Sequence, residues 1–424
     1  MTHDNVERVA EYKWKSSRKI TPLSIAERDR RWNLVRAEMK KRGLDCLVMV
    51  VFSPGGDMAN IAYLSSIHLA GSGGALMVFP LQGEPSIHMA GNLANHRMWL
   101  QAQNWVKEFL AVPYPISYFR AAIDRLKELG LTKARVGTVH QADTPGVDSS
   151  LTLIFAERGR EMAPEIEWKD ANGLIEAIRI WKSDEEIALM QQCTEIGDRA
   201  FLETAQFAKS GVASRAVYNR LVSSLMENGS EKPFILWDAG PSPVHGVWVP
   251  DGYILQPGHI IVNEWSPFVR GYGCQFQRPM AVSYVPDHYK RLYDAARSSY
   301  ERGLEALQLG NTIMDVVRAM EKPIISEGFV SITPYFHGIG LSLERPVAYS
   351  QFRRDLSKGE NVARWRAFQE EMEKLVVKPG MTIAFEPNAV TPDQCQGVHF
   401  GDTVAVTSKG PLRMSSLPLD WFIV

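Results

Sequence analysis

The chain has 424 residues, which is more than one ordinary hydrophobic core accommodates, so two domains are expected. Apolar residues make up 45% and charged residues 22%, as in ordinary globular proteins. The formal net charge is −1 and the basic residues are scattered, which argues against a nucleic-acid or membrane partner.

The cysteines lie far apart and form no CxxC pair; they are Cys46, Cys193, Cys274 and Cys395. Such isolated cysteines argue against zinc ribbons and disulfide scaffolds, and they are typical of a reducing compartment. The first residues lack the apolar core of a signal peptide, and no uninterrupted apolar stretch reaches about 18 residues. We therefore expect a cytoplasmic protein.

The first half of the chain has the pattern of an α/β domain, which we place at residues 23–175 after a polar arm at 1–22. The segment Ser24 to Glu27 has the form of a capping box, and it predicts a helix that Gly43 ends. Apolar runs that alternate with helical segments predict buried strands at 46–52, 75–80 and 136–140.

The second domain is expected at residues 176–424, because a second capping box, Ser183 to Glu186, opens a long helix that Gly211 ends. After residue 250 the pattern changes to strands and turns, interrupted by predicted helices at 287–308 and 312–327. The highly charged segment 353–374 predicts a surface helix.

Several segments of this second half carry polar residues beside turns. His245 precedes a turn and a strand, and His337 precedes a Gly-Ile-Gly turn that lets the backbone pass close to another group. Residues 263–278 predict a hairpin with its tight end at Gly271-Tyr272, and Glu386 ends a predicted strand. The segments are 242–258, 263–278, 334–346, 378–387 and 397–406.

In this order and spacing, the segments resemble the creatinase/prolidase/methionine-aminopeptidase family, the "pita-bread" enzymes. Upstream, RIWKSDEEIALM (179–190) is similar to the entry of the family's catalytic domain, and residues 30–50 are similar to the start of its N-terminal domain. The resemblance implies a creatinase/prolidase-type α/β domain followed by a pita-bread catalytic domain of α+β type. It also implies a hydrolase that forms a homodimer.

Metallopeptidases of the family hold two divalent ions with five side chains, and the resemblance places those positions at Glu264, Gln275, His337, Glu386 and Gly401. Only His337 and Glu386 keep the family's residue types. Two carboxylates cannot neutralise two divalent ions, and an uncompensated buried ion costs on the order of several kcal/mol. We therefore expect no dinuclear metal centre and no cofactor.

Two alternatives stay open. Glu264, His337 and Glu386 could hold a single zinc or iron ion, with His399 as a fourth ligand on the strand face that also carries Gly401. The protein would then be a metal-dependent aminopeptidase of the Xaa-Pro type, or a lyase. The other alternative is a non-catalytic pita-bread module that binds a protein partner.

The function that we predict is that of a metal-free hydrolase similar to creatinase, which resembles this chain and hydrolyses a C–N bond with a histidine and glutamates. The resemblance implies that His245 is the general base or proton shuttle, Glu386 its acid/base partner, and His337 a positioning or second proton-transfer group. Gln277 replaces another catalytic glutamate. Since Glu264 and Glu386 would repel each other in a cation-free cleft, one of them should keep its proton towards neutral pH.

The expected substrate is a small amino-acid-like, amide or guanidino compound. Its predicted binding residues are Glu264, Gln275, Gln277, Trp237, Trp248, Trp265, Arg270 and Arg345. The two glutamines alternate onto one strand face, where their amides could bind substrate or an oxyanion without adding charge. The tryptophans predict an aromatic pocket or core packing, and the arginines a carboxylate site or exposed surface.

Overall fold

The computed structural model describes residues 23–51, 58–68, 74–91, 104–112, 116–139, 153–246, 250, 252–351 and 361–424. The chain divides into two compact units, 1–179 and 180–424, close to the boundary expected near residue 175. The predicted arm at 1–22 lies outside the described residues. None of the described helices has the length and apolar character needed to cross a bilayer.

The N-terminal unit has the alternating α/β pattern expected from its sequence. Its helices are α1 (Ile25–Arg42), α2 (Ala59–Ser65), α3 (Tyr118–Glu128), α4 (Leu153–Met162) and α5 (Glu176–Arg179). Its strands are β1 (Cys46–Val51), β2 (Ala75–Pro80), β3 (Ser86–Ala90), β4 (Glu108–Val112), β5 (Arg135–Val139) and β6 (Glu167–Asp170). Ser24 caps α1 and Gly43 ends it in the left-handed conformation, as predicted.

The described strands of this unit form one mixed sheet in the order β4-β3-β2-β1-β5-β6. β1 lies between an antiparallel β2 and a parallel β5, and β1 and β2 are buried along their whole lengths. Burial on both faces explains why these strands read as continuous apolar runs rather than as alternating patterns.

The C-terminal unit carries the site. Its helices are α6 (Asp184–Phe207), α7 (Ser214–Glu227), α8 (Asp287–Ala306), α9 (Ile313–Ser326) and α10 (Asn361–Lys374). Its first strands are β7 (Phe234–Gly240), β8 (Ile260–Ser266), β9 (Phe268–Val269), β10 (Tyr272–Gly273), β11 (Phe276–Gln277) and β12 (Met280–Ala281). They are followed by β13 (Phe336–Ile339), β14 (Leu343–Ala348), β15 (Thr382–Phe385), β16 (Asn388–Val390), β17 (Gly397–His399), β18 (Gly401–Thr407), β19 (Gly410–Arg413) and β20 (Phe422–Ile423).

The main sheet of this unit runs in the order β14-β13-β15-β18-β11-β8-β12-β20, with β7 paired to β8 and β19 to β18. Helices α8 and α9 pack on it through a core of aromatic and aliphatic side chains, among them Tyr293, Tyr300, Phe385 and Phe400. This core fixes the central strands β13, β15, β18, β11 and β8 side by side, and the site lies on them.

Two local predictions need correction. The hairpin turns at Arg270-Gly271, not at Gly271-Tyr272, because both Arg270 and Gly271 have positive φ and Tyr272 already belongs to β10. The predicted capping box at Ser183 is confirmed, but α6 ends at Phe207, before Gly211.

Candidate active site

Residues from neighbouring strands meet in a hydrogen-bonded group that we call the carboxyl–amide cluster: Glu264, Gln275, Gln277, His337 and Glu386. Glu264 lies in β8, Gln277 in β11 and His337 in β13. Gln275 comes just before β11, and Glu386 directly follows β15. Because these strands are neighbours in one sheet, residues that are more than 100 positions apart in the sequence come into contact.

Amide groups hold the two carboxyl groups in place. Gln277 Nε2 donates to Glu264 Oε2 over 3.0 Å and to Glu386 Oε2 over 3.2 Å. Gln275 Nε2 donates to the same Glu386 oxygen over 2.9 Å, and Gln275 Oε1 lies 3.0 Å from His337 Nε2. His337 Nε2 is also 3.8 Å from Glu386 Oε1. The cluster is therefore continuous from His337 to Glu264.

The N–H groups of Gln277 are not available for the oxyanion contact that the sequence suggested, although Gln275 and Gln277 remain predicted substrate-binding residues. Both N–H groups of Gln277 are used on glutamates, so they cannot also stabilise an oxyanion in this arrangement. The atom left over is Gln277 Oε1, which is buried without a hydrogen-bond partner among the described residues. Buried polar atoms are normally satisfied, so Gln277 offers a ligand or a water molecule an acceptor rather than a donor.

A buried ion-pair network beneath the cluster fixes the pairing of β11 with β18. Arg278 donates to Asp402 over 2.5 Å and to the main-chain oxygen of Gly401 over 2.6 Å. Asp402 also accepts from Tyr300 over 2.5 Å and from Arg413 over 2.9 Å. Arg278 and Asp402 are fully buried, so each charge depends on these partners. The network holds Gln277, the neighbour of Arg278, in register.

Asn388 is a positioning residue that the sequence did not reveal. Its Oδ1 accepts from the main-chain N–H of Ile332 over 2.7 Å, and its Nδ2 donates to Thr333 Oγ1 over 2.7 Å and to the main-chain oxygen of Glu386 over 3.3 Å. The fully buried amide thus ties the loop before β13 to the Glu386 segment. In the sequence, the only sign of this role is that Asn388 lies two residues after Glu386.

Burial controls the charge state of the two glutamates. Desolvation raises the pKa of Glu264 to about 8, and repulsion from Glu386 adds to it. Desolvation likewise raises the pKa of Glu386 to about 8, against the hydrogen bonds from Gln277 and Gln275. Because the two carboxyls interact, their protons belong to the pair rather than to either residue. The pair therefore keeps a proton near neutral pH, mainly because it is buried.

The hydrogen bonds of His337 link its protonation to that of Glu386. Its Nδ1 lies 2.9 Å from the Gly338 carbonyl, which can only accept, so Nδ1 carries a proton. Burial lowers the pKa of His337 and favours the neutral ring, whose Nε2 must then accept from Gln275. The Gln275 amide then turns its oxygen to Glu386, and that contact requires a protonated Glu386. One proton thus resides on His337 or on Glu386, according to the orientation of Gln275.

The residues present do not fit a pair of divalent ions. Gln277 directs both of its amide hydrogens at the glutamate oxygens that a metal would need. At Gly401, a Cβ would overlap the Phe385 carbonyl oxygen and lie 2.6 Å from its carbon, so the main chain fills the place of a fifth ligand. Among the described residues, no three His, Cys, Asp or Glu side chains converge as a metal site does.

His245 and His399 form a separate pair rather than joining the cluster. His245 Nδ1 lies 3.2 Å from His399 Nε2, and the ring centroids are 4.5 Å apart. The prediction that His399 and Gly401 share one strand face is wrong, because β17 ends at His399 and β18 begins at Gly401. His399 therefore does not complete a ligand set with the glutamates. His399 is the ladder partner of Asn388, which lies two residues after Glu386 in the chain.

The structure does not support an aromatic pocket made by Trp237 and Trp265, because both are fully buried. Trp237 donates to Ser214 over 2.9 Å, and Trp265 stacks between Phe201 and Phe276. Their role is core packing. Trp248 lies outside the described residues.

The contacts that the structure gives for the two predicted carboxylate-binding arginines involve acidic residues of the protein itself. Arg270 forms the hairpin turn, where its main-chain N–H donates to Glu231 over 3.1 Å. Arg345 pairs with Glu371 of α10 at the protein surface.

Comparison with known proteins identifies the family. The sequence model of Metallopeptidase family M24 matches residues 188–408, and that of the Creatinase/Prolidase N-terminal domain matches residues 31–181. The chain belongs to metallopeptidase family M24. This membership confirms the resemblance, the hydrolase class and the two-domain pita-bread architecture that the sequence predicts.

Individual relatives of this M24 chain are distant. A Xaa-Pro dipeptidase from Pyrococcus furiosus is 24% identical over 64% of this chain and 74% of its own length. A creatinase from a Bacillus species is 20% identical over 94% of this chain and 93% of its own length. The solved structure of a Xaa-Pro dipeptidase from Bacillus anthracis matches with a TM-score of 0.73 and 19% identity, covering 94% and 100% of the two chains. The last likeness shows the fold alone.

Proposed function

We propose that this chain is a creatinase-like hydrolase that cleaves a C–N bond in a small amino-acid-like, amide or guanidino compound without a pair of metal ions. The observation that supports the proposal is the Gln277 amide between Glu264 and Glu386, at 3.0 and 3.2 Å. The hydrogens of the Gln277 amide thus occupy the space between the glutamates where the family resemblance would place metal ions. The glutamates are then available for proton transfer rather than for metal binding.

The proposed roles follow from the proton positions. Glu386 has a pKa raised to about 8 by burial, so it can donate a proton to the departing nitrogen near neutral pH. His245 has a pKa lowered by burial, so its ring is neutral and can take a proton from water. His337 and Glu386 share one proton, so His337 is the second residue that can hold it. Glu264, Gln275 and Gln277 orient the substrate and Glu386.

A single-ion Xaa-Pro peptidase is the second candidate. It is supported by the similarity to the Pyrococcus furiosus dipeptidase and by the contact between His337 and Glu386, which Gln277 connects to Glu264. A zinc or iron ion bound by Glu264, His337 and Glu386 would have to displace the Gln277 amide from both glutamates. Metal binding and substrate hydrolysis therefore distinguish the two candidates.

The test uses purified full-length protein, before and after exhaustive chelation, with a panel of guanidines, carboxamides and Xaa-Pro dipeptides. We expect turnover of a guanidine or carboxamide that survives chelation, and a loss of about 10²–10⁴-fold in Glu386→Gln. Hydrolysis of Xaa-Pro dipeptides that requires an added divalent ion would favour the second candidate.

Absence of turnover on every compound, together with a stoichiometric protein partner, would favour the binding module. The homodimer and the cytoplasmic location remain predictions; sedimentation of the purified protein checks the first.

A further inference from the structure

The histidine pair lies outside the carboxyl–amide cluster and contains one unsatisfied buried nitrogen. His245 sits in the loop between β7 and β8, and His399 is the last residue of β17. His399 is only 2% exposed, and its Nδ1 has no hydrogen-bond partner among the described residues. The hydrogen bond between His245 Nδ1 and His399 Nε2 is therefore the contact that fixes both rings.

A hydrogen bond between two neutral imidazoles uses one proton, and either ring can supply it. If His399 donates from Nε2, its buried Nδ1 is an unpaired acceptor, and Nε2 of His245 carries a hydrogen. If His245 donates from Nδ1, His399 carries its proton on Nδ1, and Nε2 of His245 has a free lone pair. Only the second arrangement makes His245 a base at Nε2.

The surroundings favour the second arrangement. The main chain of Val244 acts on His399 in the direction that stabilises an N–H group, as a carbonyl oxygen does. Because Nε2 of His399 already contacts His245, Nδ1 is the nitrogen left to carry an N–H group that a carbonyl oxygen stabilises. Asp238 accepts from the main-chain N–H of Val244 over 3.3 Å, and its charge favours the protonated form of His245.

We propose that His399 is a positioning residue that accepts a hydrogen bond from Nδ1–H of His245 and so keeps Nε2 of His245 as the proton acceptor of the reaction. The catalytic part of this inference rests on the proposed function, whereas the tautomer does not. Water transfers a proton to Nε2 of His245, and the electron pair of the broken O–H bond forms the new C–O bond. The C–N bond then breaks, and the nitrogen keeps its electron pair and takes a proton from Glu386.

The tautomer is measured directly in the full-length protein labelled with [15N]histidine, by long-range 1H–15N correlation at a pH where the rings are neutral. His245→Asn assigns the signals. We expect His245 to carry its hydrogen on Nδ1 in the wild type and in His399→Gln, whose amide oxygen can accept in place of the imidazole nitrogen. In His399→Leu the signals should shift towards the other tautomer.

The matched control is His88→Leu, which removes another buried histidine, bonded to Ser86 over 3.1 Å in the N-terminal unit, and should leave the His245 signals unchanged. A wild-type His245 with its hydrogen on Nε2 would overturn the inference, as would a His399→Leu spectrum identical to that of the wild type. If His399→Leu does not fold, the spectra of the wild type and of His399→Gln still show which nitrogen of His245 carries the hydrogen.

Kinetics separate the inference from the proposed function. On any compound that the wild type hydrolyses, His399→Leu should lower kcat by at least about tenfold with little change in KM, and His399→Gln should restore most of kcat. The expected tautomer without hydrolysis of any compound would contradict the proposed function and leave the positioning by His399 intact. Hydrolysis at the wild-type kcat by both variants would contradict the catalytic importance of His399.

Discussion

Gln277 connects Glu264 and Glu386 through one amide nitrogen, and the same two side chains have pKa values raised to about 8. From the sequence we expected mutual repulsion to raise one of these pKa values. The structure agrees in direction but gives burial as the larger cause. Repulsion follows from two carboxyls mapped to one cleft, whereas desolvation depends on how closely the strands pack around them.

Glu264→Gln should make stability less dependent on pH. Because the folded-state pKa of Glu264 lies above its ordinary value of 4.5, the folded protein binds the proton more tightly, and wild-type stability falls as pH rises from 4.5 to about 8. The variant removes this penalty. The free energy of unfolding of the variant minus that of the wild type should therefore rise by about 1.4 kcal/mol or more from about pH 5 to about pH 9, since one pKa unit is worth that amount.

Urea unfolding at both pH values measures this difference. The matched control is Glu370→Gln, at an exposed position on α10, which should show no such gain. Equal pH dependence of Glu264→Gln and wild type would contradict a raised pKa at Glu264.

Gly401→Ala should lower the free energy of unfolding by about 1–3 kcal/mol, as overpacking does in a tight interior. The added Cβ would overlap the Phe385 carbonyl, so the main chain must move at the point where Glu386 begins. Gly252→Ala is the control, because its Cβ meets no atom within 4 Å, and it should change stability by less than about 0.5 kcal/mol. Equal stability of the two variants would show that position 401 has room for a side chain.

Which side chains would meet was foreseen in part. The resemblance placed Glu264, Gln275, Gln277, His337 and Glu386 at one site, and these residues do share one hydrogen-bonded cluster. The partner of His245 was not foreseen, because His399 approaches it from a separate short hairpin. The tryptophans were ambiguous, since a run of aromatic residues near a site has the same sequence pattern in a core as in a pocket.

The pairing of β11 with β18 depends on a buried ion pair as well as on main-chain hydrogen bonds. Arg278 and Asp402 follow the strand residues Gln277 and Gly401, which are Cα partners in that ladder. The sequence predicted strands and turns in this part of the chain, but the ion pair joins positions that no local pattern connects. The predicted hairpin turn was wrong by one residue. Arg270 adopts a backbone conformation that non-glycine residues rarely adopt, so its sequence carried no sign of the turn.

Arg278→Met should cost about 3–5 kcal/mol of unfolding free energy, because Asp402 would remain buried with fewer compensating partners. Denaturant unfolding of the variant and the wild type measures the loss. Arg120→Met is a suitable control, since Arg120 pairs with Asp124 at the surface over 2.9 Å and such pairs contribute at most about 1 kcal/mol. A loss no larger than that of the control would show that the buried network does not fix β11.

The division of the chain into two units follows from features that a single sequence carries: length, a capping box after an α/β pattern, and the change to strands and turns after residue 250. The position of the boundary is harder to predict, because residues just before α6 can belong to either core. The contacts of Lys182 show that its segment belongs to the C-terminal unit. Its main-chain N–H donates to Gly380 over 2.8 Å, and its ammonium group pairs with the buried Glu344.

A fragment of the C-terminal unit that starts at residue 180 should therefore fold, and a fragment that starts at residue 184 should be less stable. A fragment 180–424 keeps the pairing of Lys182 with Glu344 and the cap that Ser183 provides for α6. A fragment 184–424 loses both, which we expect to cost about 3–5 kcal/mol for the buried pair and about 1 kcal/mol for the cap. Circular dichroism during urea unfolding compares the two fragments. Lys182→Met in the longer fragment should reproduce most of the loss, and equal stability of all three proteins would mean that the unit begins after Ser183.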